Sequence, residues 1–300
     1  MVDCSVRVGS VVLRNPVMTA SGTAGHGAEL SPFMDLSSLG AVVTKSLAPY
    51  EWAGNPPPRL RPTAQGMLNA VGLQGPGIEA WMAKGLVELL EVGATVVASI
   101  WGRSVEDYRI AAEMLASAPA EVVAVEVNLS CPNLEGRGSI FAHDPELCAT
   151  VIAATEACGR PRWAKLSPNT DRIVDAAAAS AQAGAEAVTL INTLLGLVID
   201  PATLRPALGN GGGGLSGRAI HPVAVRAVND VRLALPDLPI IGVGGIASGW
   251  DAIEMLIAGA QAVQVGTATF ADPQAPVQVL REAIDWMTSG GATSFGQLAR

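Results

Sequence analysis

Four cysteines and three histidines are all that 300 residues offer, and their spacing excludes as much as their number. Cys4, Cys131, Cys148 and Cys158 form no CxxC pair, and His26, His143 and His221 form no HxH or HExxH. A disulfide framework needs denser cysteine, and a protein-built zinc or iron–sulfur centre needs clustered ligands. Any redox chemistry in this chain therefore falls to an organic cofactor. Charge is scarce too, at 15% of residues, with 19 basic against 27 acidic side chains and a net charge of −8. No Lys/Arg cluster stands out, which argues against nucleic acid and anionic membrane surfaces as partners. Long apolar runs are also missing. Glu, Gln, Asp or Gly interrupts each apolar stretch before the roughly 18 residues of a membrane span. The first ten residues, MVDCSVRVGS, carry neither the basic nor the apolar region of a leader. The expectation is a cytoplasmic protein with no membrane segment.

Small and apolar residues are plentiful, 49% of the chain being apolar, enough to bury a large core. Eight short β-branched runs recur: 16–21, 41–46, 95–102, 122–130, 162–167, 187–192, 239–245 and 262–268. Each is followed by a polar or glycine turn and then by an alanine-rich stretch of helical period. Start signals are readable at Asp144-Pro145-Glu146, where proline falls at a first helical position. Ser104 to Asp107 and Ser248 to Asp251 read as capping boxes with Asp in place of Glu or Gln. Continuously apolar strands imply burial on both faces, as in a parallel sheet. Eight alternating units predict an α/β fold of the (β/α)₈ TIM-barrel type, a single domain over 1–300. The Pro/Gly-rich segment 47–77 and segment 194–218, with its GNGGGGLSG, read as loops inserted over the carboxyl-terminal rim.

Barrels of this kind carry their active sites at the carboxyl ends of the strands. Those ends read Ser21, Lys45-Ser46, Ser99, Asn128, Lys165, Asn192-Thr193, Gly244-Gly245 and Gly266-Thr267. The glycine turns after strands seven and eight expose backbone N–H groups where such barrels hold a phosphate. That phosphate would belong to a substrate or to a cofactor such as FMN; the plain alternative is that the glycines only make tight turns. Lys45 and Lys165 are the only lysines at strand ends. Two ammonium groups on one cavity would stabilise a substrate carboxylate or the negative charge of a reduced flavin ring, while either alone would serve a Schiff-base aldolase. Cys131 lies just past strand four in NLSCPN. Its thiol is a candidate nucleophile or general base that, at an ordinary pKa near 8.5, would work best in mildly alkaline solution. Cys148 and Cys158, at helical spacing among alanines, read as small core residues. Asn69, Asn128, Asn133 and Asn192 offer the paired donors and acceptors that suit a planar, amide-rich ligand.

The segments ASGTAGHG, TKS, GNPPPRL, MLNAVGLQGPG, VNLSCPN, AKLSPN, INTLLG, GGGLSG, GVGGI and VGTA resemble, in order and over nearly the whole chain, the dihydroorotate dehydrogenase family, and within it the B-type class 1 catalytic subunits. The resemblance implies oxidation of dihydroorotate to orotate in pyrimidine biosynthesis, with Cys131 as base at carbon 5 and a hydride passing from carbon 6 to FMN. It implies FMN contacts at Ser21, Lys45, Ser46, Ser99, Asn128, Lys165, Ile191, Gly217, Gly244, Gly245, Gly266 and Thr267. The orotate site would comprise Lys45, Asn69, Ala70, Val71, Gly72, Leu73, Asn128, Asn133, Asn192 and Thr193, with Leu134 to Phe141 as a lid. It also implies a separate FAD and [2Fe–2S] subunit passing electrons to NAD, and a homodimer within a heterotetramer. The chain departs from the family pattern at Ser99, where an asparagine is usual, and at Gly75, Arg218 and His221. Competing readings are a dihydropyrimidine dehydrogenase-type flavoenzyme and a flavin-free barrel, either a Schiff-base aldolase or a phosphate-binding module.

Overall fold

All eight β-branched runs become strands in the computed structural model, which describes residues 2–131 and 140–298. They are β1 (Val17–Thr19), β2 (Val42–Val43), β3 (Val96–Ile100), β4 (Val122–Asn128), β5 (Arg162–Lys165), β6 (Ala187–Leu190), β7 (Ile240–Val243) and β8 (Ala262–Val265). The sheet order β1-β8-β7-β6-β5-β4-β3-β2 is parallel throughout. A single parallel bridge, Met18 to Ala41, closes β2 onto β1. The result is the expected (β/α)₈ barrel.

Helices α1 (Ile78–Ala83), α2 (Gly85–Glu91), α3 (Val105–Leu115), α4 (Pro145–Ala154), α5 (Ile173–Gln182), α6 (His221–Ala234), α7 (Gly249–Ala258), α8 (Ala268–Ala271) and α9 (Ala275–Ser289) pack outside it. Asp144 caps α4 with Pro145 in its first turn, as the sequence predicts. Ser104 and Ser248 accept the Asp107 and Asp251 amides. The two aspartates reach one residue further back than a capping box would, to the amides of Arg103 and Ala247. The first unit departs from the expected pattern. Between β1 and β2 the chain makes only a 3₁₀ turn, Leu36–Ser38, because Gly22, Gly25, Gly27 and Pro32 deny the intervening stretch a continuous helix.

Side chains alternate across a strand, so residues two apart share a face. The lowest inward layer is apolar: Met18, Val43, Val97, Ala124, Trp163, Ala187, Ile241 and Ala262 form one buried cluster with Val8, Val11 and Leu13. The last three come from an antiparallel hairpin, Val6–Val8 with Val11–Leu13, that plugs the amino-terminal end. Two residues further along β4, β5 and β8 the layer changes character, to Glu126, Lys165 and Gln264, all buried. Above them lies the carboxyl-terminal mouth.

The two inserted loops are halves of one structure. Leu194–Gly196, Gly213–Ser216, Gly66–Asn69 and Leu60–Thr63 pair in that order as an antiparallel sheet over the mouth. This explains the glycine-rich composition of 209–217 by close packing. A Cβ on Gly213 would stand 2.4 Å from Asn69 O, one on Gly214 2.1 Å from Thr193 Oγ1, and one on Gly66 1.9 Å from Ser216 O. The last is backbone against backbone and cannot swing aside. Gly66→Ala is therefore expected to spread the Gly66–Asn69 and Gly213–Ser216 strands at a cost of about 1–3 kcal/mol. Hydrogen exchange should speed up over 194–216 while the barrel strands keep their protection; unchanged exchange there would mean the sheet absorbs the methyl group.

Candidate active site

The carboxyl ends of the strands and the inserted sheet enclose a cavity of about 250 Å³. Its walls include Ser21, Lys45, Ser46, Asn128, Cys131, Lys165, Ile191, Asn192, Thr193, Gly217, Gly244, Gly245, Gly266 and Thr267. From the first insertion come Asn69, Val71, Gly72 and Leu73. The expected cofactor and orotate residues thus meet in one place, with three exceptions. Asn133 lies outside the described residues, as do residues 134–139 of the expected lid. Ser99 sits behind the wall, its Oγ 2.9 Å from Ser46 Oγ: an inward serine at that point of β3 is too short to pass Ser46. Ala70 also misses the cavity, packing with Leu68 and Leu208 under the inserted sheet.

Lys165 is the best-anchored group. Its ammonium, 3% exposed, pairs with Glu126 Oε1 at 3.2 Å and donates to Ser21 Oγ at 3.1 Å and Gln264 Oε1 at 3.3 Å. Gln264 Nε2 closes the ring by donating to Glu126 Oε2 at 2.6 Å. An ammonium has three N–H donors, and all three are taken, so no lone pair is available for a Schiff base. What Lys165 offers a ligand is positive charge at the cavity floor. Sequence reading missed Glu126 and Gln264. The signal was present, since a carboxylate and an amide inside the apolar runs VVAVEVN and AVQV need buried partners.

Lys45 is different. It lies at the end of β2, half-buried, and among the described residues its ammonium has no hydrogen-bond or ion-pair partner. Burial lowers its pKa, the nearby Cys131 raises it, and Lys165 lowers it. Lining the cavity as it does, it can meet a ligand anion. Between the lysines runs a chain of amides and hydroxyls. Asn192 Nδ2 donates to Asn128 Oδ1 at 3.2 Å, and Asn128 Nδ2 to Ser46 Oγ at 3.3 Å. Asn69 Nδ2 holds Gly214 O at 3.2 Å, which fixes the upper wall. Beside it Leu73 takes φ 62°, a left-handed backbone unusual for leucine. The turn after β7 is held from outside, where His221 Nδ1 donates to Gly244 O at 2.8 Å. Gly244 and Gly245 have φ 138° and 71°, and a Cβ on Gly245 would strike Gly217 O at 2.8 Å. Here the glycines are required by geometry. Thr267 Oγ1 donates to Ser216 Oγ at 2.8 Å and ties the turn after β8 to the inserted sheet.

Cys131 is 2% exposed and packs with Ala48 and Trp101. Its Sγ donates to Asn128 O at 3.4 Å. Burial pushes its pKa up to about 12, against the lowering effects of Tyr108 and Lys45. The site therefore holds a neutral thiol in neutral solution, well above the ordinary value that the sequence suggested. Next to it Ser130 lines the cavity with a buried hydroxyl that lacks a partner among the described residues. Sequence reading also missed Met67, Ser216 and Phe270 on the cavity wall, residues whose position depends on how distant segments pair.

A family model described as dihydroorotate dehydrogenase matches residues 4–287. Among similar proteins, the dihydroorotate dehydrogenase B (NAD(+)) catalytic subunits of Geobacter metallireducens and Geobacter sulfurreducens are 46% and 47% identical over 297 residues, 99% of this chain and 97% of theirs. That of Desulforudis audaxviator is 45% identical over 298 residues, 99% of this chain and 96% of its own.

Proposed function

This chain belongs to the dihydroorotate dehydrogenase family of oxidoreductases, and on that premise we propose that it oxidises dihydroorotate to orotate with FMN held in the barrel mouth. The observation that carries the reading is one cavity lined by a lysine without a partner among the described residues, a thiol and three asparagines, floored by a second, fully paired lysine. The residues fit a flavin phosphate. The Gly244-Gly245 and Gly266-Thr267 turns lie side by side, after the paired strands β7 and β8, and both line the cavity. Ser21, Ser46, Asn128, Lys165, Ile191 and Gly217 would hold the ring system. When bound, FMN supplies the two-electron acceptor for the hydride of carbon 6.

The chain's own residues do the rest. Lys45 would meet the substrate carboxylate, and Asn69, Asn128, Asn192 and Thr193 the ring amides, with Val71 to Leu73 as the outer wall and Asn133 as a further contact. Cys131 Sγ, as thiolate, would take the proton from carbon 5. Lys165 would stabilise negative charge from below. A thiol in an apolar setting is a poor base until it ionises, so the reaction is expected to gain speed with alkalinity. Below its pKa each pH unit multiplies the thiolate about tenfold.

The test is anaerobic addition of dihydroorotate to the yellow protein. Bleaching is expected, its rate climbing about tenfold per pH unit from pH 7 to 10 without a plateau. A yellow protein indifferent to dihydroorotate but bleached by dihydrouracil would favour the dihydropyrimidine reading instead. We propose further that the reduced enzyme passes its electrons to a separate FAD and [2Fe–2S] subunit and so to NAD, in a heterotetramer around a homodimer of this chain. The relatives' designation as NAD(+)-type catalytic subunits supports that reading. Among the described residues no helix is long and apolar enough to cross a membrane.

A further inference from the structure

Tyr108 lies on α3, behind the cavity wall, fully buried and out of reach of any ligand in the mouth. Its hydroxyl donates to Asn128 O at 2.6 Å. That is the carbonyl to which the Cys131 thiol donates at 3.4 Å. A carbonyl oxygen has two lone pairs, and here one is given to a phenol and the other to the thiol. The phenol is rigidly placed. Phe141 braces its ring edge-on, with centroids 5.5 Å apart and planes at 84°, and the Phe141 amide donates to Cys131 O at 3.2 Å. Cys148 holds the same stretch from α4, its Sγ donating to Phe141 O at 3.5 Å.

This arrangement matters when the thiol ionises. Cys131 then loses its bond to Asn128 O, and a sulfur anion stands beside a carbonyl dipole pointing the wrong way. Lys45 reaches the sulfur by charge from the end of β2. From α3, the Tyr108 hydroxyl brings a polar hydrogen to the carbonyl that the thiol shares. We propose that Tyr108 is the positioning residue for the thiolate, its O–H turning from Asn128 O to Cys131 Sγ as the thiol proton leaves for bulk water. Tyr108 keeps its own proton, so the ionisation is Cys–SH to Cys–S⁻ plus one proton to solvent. The direction of the mutual effects agrees: the phenol lowers the thiol's pKa, while burial and then the thiolate raise the phenol's. Cys148 faces the phenol from α4 as a neutral thiol, its own pKa pushed up to about 12.

The inference rests on Cys131 being the base, so its test is chosen to stand apart from turnover. Tyr108→Phe keeps the ring and removes only the donor. A hydrogen bond to a charged acceptor is worth about one to two pKa units. Alkylation of Cys131 by iodoacetamide, followed by mass spectrometry between pH 7 and 10, should therefore slow by about 10- to 100-fold in Tyr108→Phe. Cys4 serves as the internal reference, and flavin content and the spectral shift on adding orotate should be unchanged. Flavin bleaching should slow by the same factor, and Tyr108→Phe should have no further effect in a Cys131→Ser background. Wild-type alkylation across the pH range would overturn the assignment. Should Tyr108→Phe not fold, 3-fluorotyrosine incorporated in Tyr50→Phe protein, a stronger donor at Tyr108, should speed alkylation; no change would overturn it equally. Failure of dihydroorotate to bleach the wild-type enzyme would strike the proposed reaction and leave the alkylation result intact.

Discussion

Cys131→Ser should keep its flavin and lose about 10²- to 10⁴-fold in the rate of bleaching by dihydroorotate near neutral pH, the range a positioned general base contributes. Serine fits the space and can still donate to Asn128 O, so the loop geometry survives. What it lacks is an accessible anion. A thiol held at about 12 already ionises rarely at neutral pH, and a hydroxyl in the same buried setting ionises far less. The sign is fixed by the charge: burial disfavours the anion, so the base form appears only as pH rises. The deficit of the variant should therefore persist from pH 7 to 10, both rates rising together. Stopped-flow reduction under nitrogen decides the matter. A variant that bleaches at the wild-type rate would remove Cys131 from the reaction, whatever the cavity suggests.

The second large effect concerns the cavity floor. Lys165→Met should lose flavin and about 3–5 kcal/mol of stability, the usual cost of leaving one partner of a buried ion pair unmatched. Glu126 would remain with Gln264 alone in a site that excludes water. A buried pair repays its desolvation poorly, so an all-apolar replacement should cost far less. Lys165→Met combined with Glu126→Leu and Gln264→Leu is expected to recover most of the lost stability while still failing to hold flavin. Urea unfolding and bound-flavin absorbance together separate the two roles. If the triple variant bound flavin normally, the charge at the floor would have no part in holding the cofactor.

The sequence carried the barrel well because its signals are local. Eight β-branched runs, three helix caps and the polar strand ends can be read within windows of ten residues, and a parallel fold requires nothing more exotic. It carried the site unevenly. Lys165 was legible as a strand-end cation, but its partners were not, since Glu126 and Gln264 lie 39 and 99 residues away along the chain. Ser99 was placed on the wall because position along a strand says nothing of the Ser46 hydroxyl in front of it. The helix expected after β1 failed where glycines outweighed the general alternation. The glycine-rich GNGGGGLSG remained only an insertion until its pairing with Gly66–Asn69 gave the glycines a steric reason. The thiol's raised pKa was out of reach altogether, because burial and the phenol of Tyr108 come from the tertiary fold.

The inserted sheet has a consequence for the order in which the molecule is built. Asn69 and Gly214 pair across 145 residues, and four of the eight barrel strands lie between them. Neither half can find the other until β3 to β6 have brought their bases together, since closing so long a loop costs entropy that only a formed scaffold repays. The roof of the cavity is thus the final piece to assemble, and the same logic makes it the piece that parts most easily. On the proposed reaction, product would leave through a transient separation of these strands while the barrel beneath stays whole.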